Sequence, residues 1–319
     1  MKSIGGYFEL ELSQGEEYHK NAIRLNTGRN AFEYVLRAKQ YKKVYLPFYT
    51  CDVMFEPIKK LKLDFEFYSI DKNFGPIFDF SKVQANDVFV YTNYFGICDN
   101  QVLEVSQKCK NLIVDNSQAF YSKPHPLVDT FYSPRKFFGV PDGAYLYTDT
   151  KLEVGIEQDV SLNRFGHLVG RIEKDAEAYY QKFKENDHSL TGQPIKEMSK
   201  LTKRLLQSVD YRHVAQKRID NFLYLHDSFK NQNQWKFELE GDAIPMVYPF
   251  LVENGEALKK ILLQNKVFVA TYWPNVCDWC ENDSFEFYIV NNLLPIPIDQ
   301  RYGVENMQKI IQLIKSFKK

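Results

Sequence analysis

The residues able to do chemistry crowd into one stretch, Asn111 to Thr148, NLIVDNSQAFYSKPHPLVDTFYSPRKFFGVPDGAYLYT. It supplies a carboxylate at Asp115, an amide at Gln118 and an amine at Lys136. Leu112, Ile113 and Val114 form a short apolar run that reads as a buried parallel strand, with Asp115 delivered at its C-terminal edge. Asp129 to Ser133 reads as the next strand, and Lys136 stands just past its end. Gly139 to Asp142 then turns the chain into a third strand, Ala144 to Thr148. Open α/β sheets bind ligands outside the carboxyl ends of their strands, so Asp115, Gln118 and Lys136 are predicted to share one crevice. A strand-end lysine beside a carboxylate suits a pyridoxal phosphate site, where the amine condenses with the aldehyde and the acid pairs with the ring nitrogen. Taken singly, an Asp after an apolar strand is more often a turn or helix cap, and a lone lysine more often a solvated one.

The elements that must position these groups follow from pattern. Phe8, Leu10 and Leu12 alternate with polar residues, as in an edge strand or an extended arm. Asn26 and Thr27 lead into Gly28 and a helix with Ala31, Tyr34, Val35 and Ala38 on one face. Its free N–H groups and positive dipole end form an anion site, although such a turn is more often an ordinary cap. The segment KKVYLPFYTCDVMFEPIKKLKLDFEFYSID reads as strand, loop, helix and strand, the grammar of a largely parallel sheet. VFVYTNYFG is a further strand ending near Tyr94 and Gly96, and Val102 to Cys109 a helix. From Lys151 to about Gly192 the chain turns polar and reads mostly as solvated helix. Leu201, Leu205, Val209, Val214, Ile219 and Phe222 then keep largely helical spacing, and Arg218 within that run is expected to face solvent. The C-terminal part reads as a strand in AIPMVYPFLV, a helix from Gly255 to Gln264, a strand in KVFVATYWP, a loop in LLPIPIDQRYG and a last helix from Val304 to Lys315. Arg301 in that loop is expected at the surface.

A chain of 319 residues can bury a sizeable core, and two domains are expected, residues 1–208 and 209–319. Its 41 basic and 41 acidic side chains cancel, so no polyanion-binding surface is expected and nucleic acid is not an expected partner. MKSIGGYFELEL lacks an apolar core of signal-peptide length and no apolar run is long enough to span a membrane, so a cytoplasmic protein is expected. Five scattered cysteines fit reduced thiols better than a disulfide framework. Cys277 and Cys280 in CDWC have C-x-x-C spacing, but no second ligand pair accompanies them and no metal site is assigned.

VDNSQ resembles the D-x-x-Q motif of the DegT/DnrJ/EryC1/StrS aminotransferases, and SPRKFFGVPDGAYL resembles their lysine loop with its Gly-rich strand entry. The resemblance implies the fold type I α/β architecture: a large domain with a mostly parallel sheet flanked by helices, then a smaller α+β C-terminal domain. It also implies pyridoxal 5'-phosphate as cofactor, with pyridoxamine 5'-phosphate as its intermediate form, and amination of keto sugars attached to nucleotides. By position Thr27, Gly28, Arg29 and Asn30 inherit the phosphate-binding turn. Cys51 stands where these enzymes usually place a stacking aromatic, which leaves Tyr49, Phe48 or Tyr94 as replacements. The usual phosphate-binding serine falls on Phe131, so either the nearby Ser133 hydroxyl serves or the phosphate relies on the Thr27 turn and a neighbouring subunit, and Asn163 in LNRFG matches an asparagine that reaches the other protomer's phosphate.

The expected function is transfer of an amino group from an amino acid such as glutamate to a keto sugar. Lys136 would hold the cofactor and move the proton, Asp115 would keep the ring nitrogen protonated, and Gln118 would bond the ring's phenolic oxygen. A homodimer is implied. The alternatives are another pyridoxal phosphate chemistry, or a lapsed enzyme kept as a binding or regulatory protein, which Cys51 and Phe131 would favour.

Overall fold

A computed structural model describes residues 4–153 and 155–317. In chain order the elements are β1 (Ile23–Leu25), α1 (Gly28–Ala38), β2 (Lys43–Pro47), α2 (Phe55–Leu61), β3 (Asp64–Ile70), β4 (Pro76–Ile77), β5 (Asp87–Thr92), α3 (Asp99–Lys108), β6 (Leu112–Asp115) and β7 (Asp129–Tyr132). There follow β8 (Ala144–Tyr147), α4 (Gly166–Glu173), α5 (Tyr180–Ser189), α6 (Lys200–Gln207), α7 (Tyr211–Phe229), β9 (Val247–Leu251), α8 (Gly255–Gln264), α9 (Phe285–Asn292), β10 (Leu293–Pro297) and α10 (Val304–Phe317).

Eight strands form one sheet in the order β1-β8-β7-β6-β5-β2-β3-β4. The central five, β7, β6, β5, β2 and β3, are parallel, and β8, β1 and β4 are antiparallel to their neighbours. Because β8 reverses direction against β7 and β1 reverses again, the C-terminal end of β1 lies at the same edge as those of β5, β6 and β7. That edge therefore receives the start of α1 as well as Asp115 and the lysine loop.

Both faces of the sheet are buried, as parallel strands require, and they are built differently. Val44, Leu46, Val88, Val90, Ile113, Phe131 and Leu146 point toward α1 and α2. Tyr45, Phe89, Tyr91, Leu112, Val114, Tyr132 and Tyr145 point the other way, into a mostly aromatic cluster shared with Trp235, Met246, Trp273 and Ile289 from the C-terminal part. A third cluster packs Phe222, Leu225 and Phe229 of α7 and Met307, Ile310 and Ile314 of α10 on the hairpin-like pair β9 and β10. Local signals set the helix starts: Ser199, Asp210 and Ser284 cap α6, α7 and α9, each accepting from the N–H three residues on.

Several expectations change. The stretch 266–274 forms no strand; the partner of β9 is instead Leu293–Pro297, within the segment read as a loop. Two prolines in that strand hid it, and an edge strand tolerates them. The helix expected from Val102 begins at Asp99. Residues 8–12 are extended and mostly exposed, without strand pairing among the described residues, which is the arm rather than the edge strand. Among the described residues no helix is long and apolar enough to cross a membrane.

Gly255 opens α8 where the end of α9 passes closest. A Cβ there would lie 2.5 Å from the carbonyl oxygen and 2.6 Å from the Cα of Asn292. Both are backbone atoms, so relief requires moving a helix. Gly255→Ala is expected to destabilise the protein by about 1–3 kcal/mol, read as a lower urea midpoint at unchanged slope. A midpoint equal to wild type would show that α8 can slide freely.

Candidate active site

Asp115 ends β6 with its carboxylate 7% exposed. The strand register holds it from both sides: the N–H of Asn93 donates to its carbonyl at 3.0 Å, and the N–H of Asn116 donates to the Phe131 carbonyl at 2.9 Å. Oδ1 accepts the Ser117 N–H at 2.8 Å. Burial pushes its pKa up, while the Ser117 donors and the positive charge of Lys136 pull it back. A carboxylate in this setting is stabilised as an anion by any cation brought against it.

Lys136 closes a short 3-10 turn, Pro134–Lys136, after β7 and is exposed to the crevice. Its amine lies 5.2 Å from the centre of the Tyr272 ring, within cation–π range. The same amine acts electrostatically on Asp115 and on the Cys51 thiol, whose pKa burial raises to about 11. The lysine loop is held from behind. Asp142 is fully buried, accepts from the N–H and hydroxyl of Ser199, from the Thr202 hydroxyl and from Arg164, and so ties the turn to α6. Asn186 of α5 donates to the Pro141 carbonyl at 2.9 Å, and Arg135 pairs with Asp187 at 3.1 Å. Gly143 takes a φ of +113°, which a side chain would strain, while its N–H donates to the Asn26 carbonyl at 2.6 Å.

Gln118 carries a donor that the described residues leave unused. Its Oε1 accepts the Phe95 N–H at 2.9 Å, which fixes the amide's orientation because a backbone N–H can only donate. The opposite edge, Nε2, is buried and has no hydrogen-bond partner among the described residues. An orphaned buried donor calls for an acceptor from outside the chain. Asp115 calls for a cation and Lys136 for a group to attack. A pyridoxal ring carries all three in one molecule, with a basic nitrogen, a phenolic oxygen and an aldehyde, so the residues fit that cofactor.

The anion end is assembled at α1. Thr27 caps the helix, its Oγ1 accepting the Asn30 N–H at 3.1 Å. A Cβ on Gly28 would stand 3.6 Å from the Ser117 hydroxyl and 3.7 Å from the Phe131 ring, which places the helix N-terminus beside the Asp115 loop. The free first-turn N–H groups are the donors that a helix N-terminus can offer an anion. The Arg29 side chain turns away, pairing with Glu56 at 2.7 Å and reaching Thr191 at 3.3 Å. Asn30 is likewise spent inside the fold, donating to Asn26 and to the Pro194 carbonyl. Ser133 is half-buried at the end of β7, and Phe131 packs against Phe32.

Other expected residues separate further. Tyr94 is fully buried and its hydroxyl donates to the Tyr49 carbonyl at 2.9 Å; Tyr49 is 1% exposed, and Phe48 stacks on Phe67 at 4.6 Å. Each is held by core partners, and the aromatic ring against the reactive amine is Tyr272, from a segment read as a strand. Asn163 is exposed in the turn Leu162–Arg164. Arg218, expected to face solvent, is 1% exposed; burial lowers its pKa to about 10. Arg301 is half exposed and pairs with Asp299 at 2.6 Å. Ser117 and Tyr272 carry no signal in sequence, because each is recruited by a fold contact.

No family model matches this chain, and no curated protein does. Solved structures do match. The sugar aminotransferase CalS13 from Micromonospora echinospora aligns over 93% of this chain and 87% of its own, with a TM-score of 0.64 at 14% identity. A DegT DnrJ EryC1 StrS aminotransferase from Brucella abortus aligns over 93% of this chain and 85% of its own, with a TM-score of 0.62 at 12% identity. Spr1654 from Streptococcus pneumoniae, in its PLP-form, aligns over 92% and 86%, with a TM-score of 0.66 at 14% identity, and it is also solved in a PMP-form. The fold of this chain is that of the DegT/DnrJ/EryC1/StrS-type sugar aminotransferases, the fold type I α/β architecture.

Proposed function

We propose that this protein is a pyridoxal phosphate-dependent aminotransferase that moves an amino group from an amino acid, glutamate being the first to try, to a nucleotide-linked keto sugar. The observation that carries the reading is a set of three complementary groups at the C-terminal edge of the sheet: the buried Asp115, the unpartnered Gln118 Nε2 three residues on, and the exposed Lys136, whose charge acts on Asp115. The fold shared with sugar aminotransferases supports the substrate class.

When bound, the cofactor supplies an electron sink for a carbanion. The protein's own groups do the rest. Lys136 Nζ would hold the cofactor covalently, and once freed by the amino donor it would be the base that takes up and carries the proton of the donor's α-carbon. Asp115 would hold a proton on the ring nitrogen. Gln118 Nε2 would donate to the ring oxygen, and the α1 N-terminus would bind the phosphate. Phe131 stands at the position where the resemblance implies a phosphate-binding serine, and Asn163 is exposed on the surface. We therefore assign a homodimer in which a second copy supplies that contact. The same reading divides the chain at residues 208 and 209, in the short link between α6 and α7.

Three outcomes are expected. Borohydride treatment of the cofactor-loaded protein should fix the adduct on the peptide containing Lys136, and Lys136→Ala should abolish it; an adduct on another lysine refutes the assignment. Asp115→Asn should still bind cofactor but lose about 100-fold or more in turnover, the scale on which a proton-holding group acts; near-normal turnover would reduce Asp115 to a strand cap. In separated half-reactions an amino acid alone should bleach the yellow absorbance, and only a true keto-sugar acceptor should restore it. If no donor bleaches it and no acceptor restores it, another pyridoxal phosphate chemistry or a binding role replaces this one.

A further inference from the structure

Arg218 lies in the middle of α7, far in sequence from Asp115, Gln118 and Lys136, yet it is among the most buried side chains of the protein. Its NH1 donates to the Met246 carbonyl at 2.8 Å and to the Pro245 carbonyl at 3.4 Å. NH2 donates to the Phe137 carbonyl at 3.4 Å, and the guanidinium lies 4.5 Å from the centre of the Phe137 ring. Phe137 is the residue after Lys136. Its carbonyl also accepts from Gln300 Nε2 at 2.9 Å.

The other end of the same chain of bonds reaches Gln118. The Met246 N–H donates to the Phe95 carbonyl at 2.8 Å, and the Phe95 N–H donates to Gln118 Oε1. Phe95 holds a φ of +58°, and a Cβ on the neighbouring Gly96 would stand 3.1 Å from both the Gln118 and the Ile244 carbonyl oxygens. A non-glycine residue at positive φ persists only when its surroundings over-determine it. Here the surroundings are the Gln118 loop on one side and residues 244–246 on the other.

We propose that Arg218 is a positioning residue that fixes the Lys136 loop to the Gln118 loop through Pro245 and Met246. A guanidinium suits the task because its planar fork reaches three carbonyls at once while its face packs on a ring. The separation between the amine and the amide that face the cofactor is thereby set from the C-terminal half of the chain. The inference rests on Lys136 and Gln118 being the cofactor-facing groups, but the coupling is a property of the protein alone.

Amide hydrogen exchange of the cofactor-free protein tests it. Arg218→Met, similar in volume but without donors, should speed exchange at Met246, Phe95, Phe137 and Phe138 together by about tenfold or more, as loss of charge-assisted bonds predicts. The α1 and β2 amides should not change. Gln300→Ala should loosen Phe137 and Phe138 only. Should Arg218→Met not fold, Arg218→Lys is read at the same amides, where a smaller increase is expected. Faster exchange confined to one of the two loops, or none in either variant, overturns the proposal. In cofactor-loaded protein the circular dichroism of the cofactor band should change in Arg218→Lys, since it reports ring orientation. If the wild type proves to bind no pyridoxal phosphate, the functional reading falls while the exchange result still decides the coupling.

Discussion

A carboxylate kept from water at the end of a parallel strand is the constraint on which the site depends. Asp115 is buried because β6 is central, with β5 and β7 hydrogen-bonded on either side. Desolvation favours its neutral form, and the two Ser117 donors and the Lys136 charge only partly offset that. The surrounding loops serve this one group. Ser117 is drawn against it, Lys136 is brought within electrostatic reach, and the start of α1 is set beside Ser117 by the double reversal through β8 and β1.

Much of this was legible in sequence, and the reason is that strand ends are local. An apolar run of three followed by an acid predicts β6 and Asp115 without any knowledge of neighbours, and α1 declares itself through Thr27 and its apolar face. The parallel order followed from the strand–helix–strand grammar. What stayed hidden depended on distant partners. Arg218 reads as a solvent residue because a charged side chain in an amphipathic helix usually is one; only the meeting of α7 with the lysine loop makes burial favourable. Arg29 reads as an anion ligand by position, but Glu56 across the packed α1 and α2 pair claims it first. Leu293–Pro297 reads as a loop because its prolines mask the alternation, and β9 settles it as a strand.

The aromatic positions show the same limit from another direction. With 21 tyrosines and 25 phenylalanines, residue type alone cannot mark the ring that faces a ligand. Tyr49, Tyr94 and Phe48 sit just past strand ends, yet each is engaged by contacts with Phe74, Trp273 or Phe67. Tyr272 is left half-buried with its ring toward the amine because the next residue, Trp273, is taken into the core against Tyr49. Burial of one ring thus presents the other.

The C-terminal half is therefore more than a covering layer. Asn275 donates to the Thr50 carbonyl at 3.0 Å, so the segment carrying Tyr272 is latched to the loop carrying Cys51. Glu286 of α9, 1% exposed, accepts the Ile70 N–H at the end of β3 at 2.7 Å. Gln300 and Arg218 hold the lysine loop. Each contact joins a C-terminal side chain to backbone at or beyond the C-terminal end of a sheet strand, where ladder hydrogen bonds run out and backbone groups need other partners. The unpaired backbone that makes this edge of a parallel sheet a place to bind ligands also makes it the place where the second half of the chain attaches. The placement of the lysine loop and the packing of the two halves are for that reason set by the same few bonds.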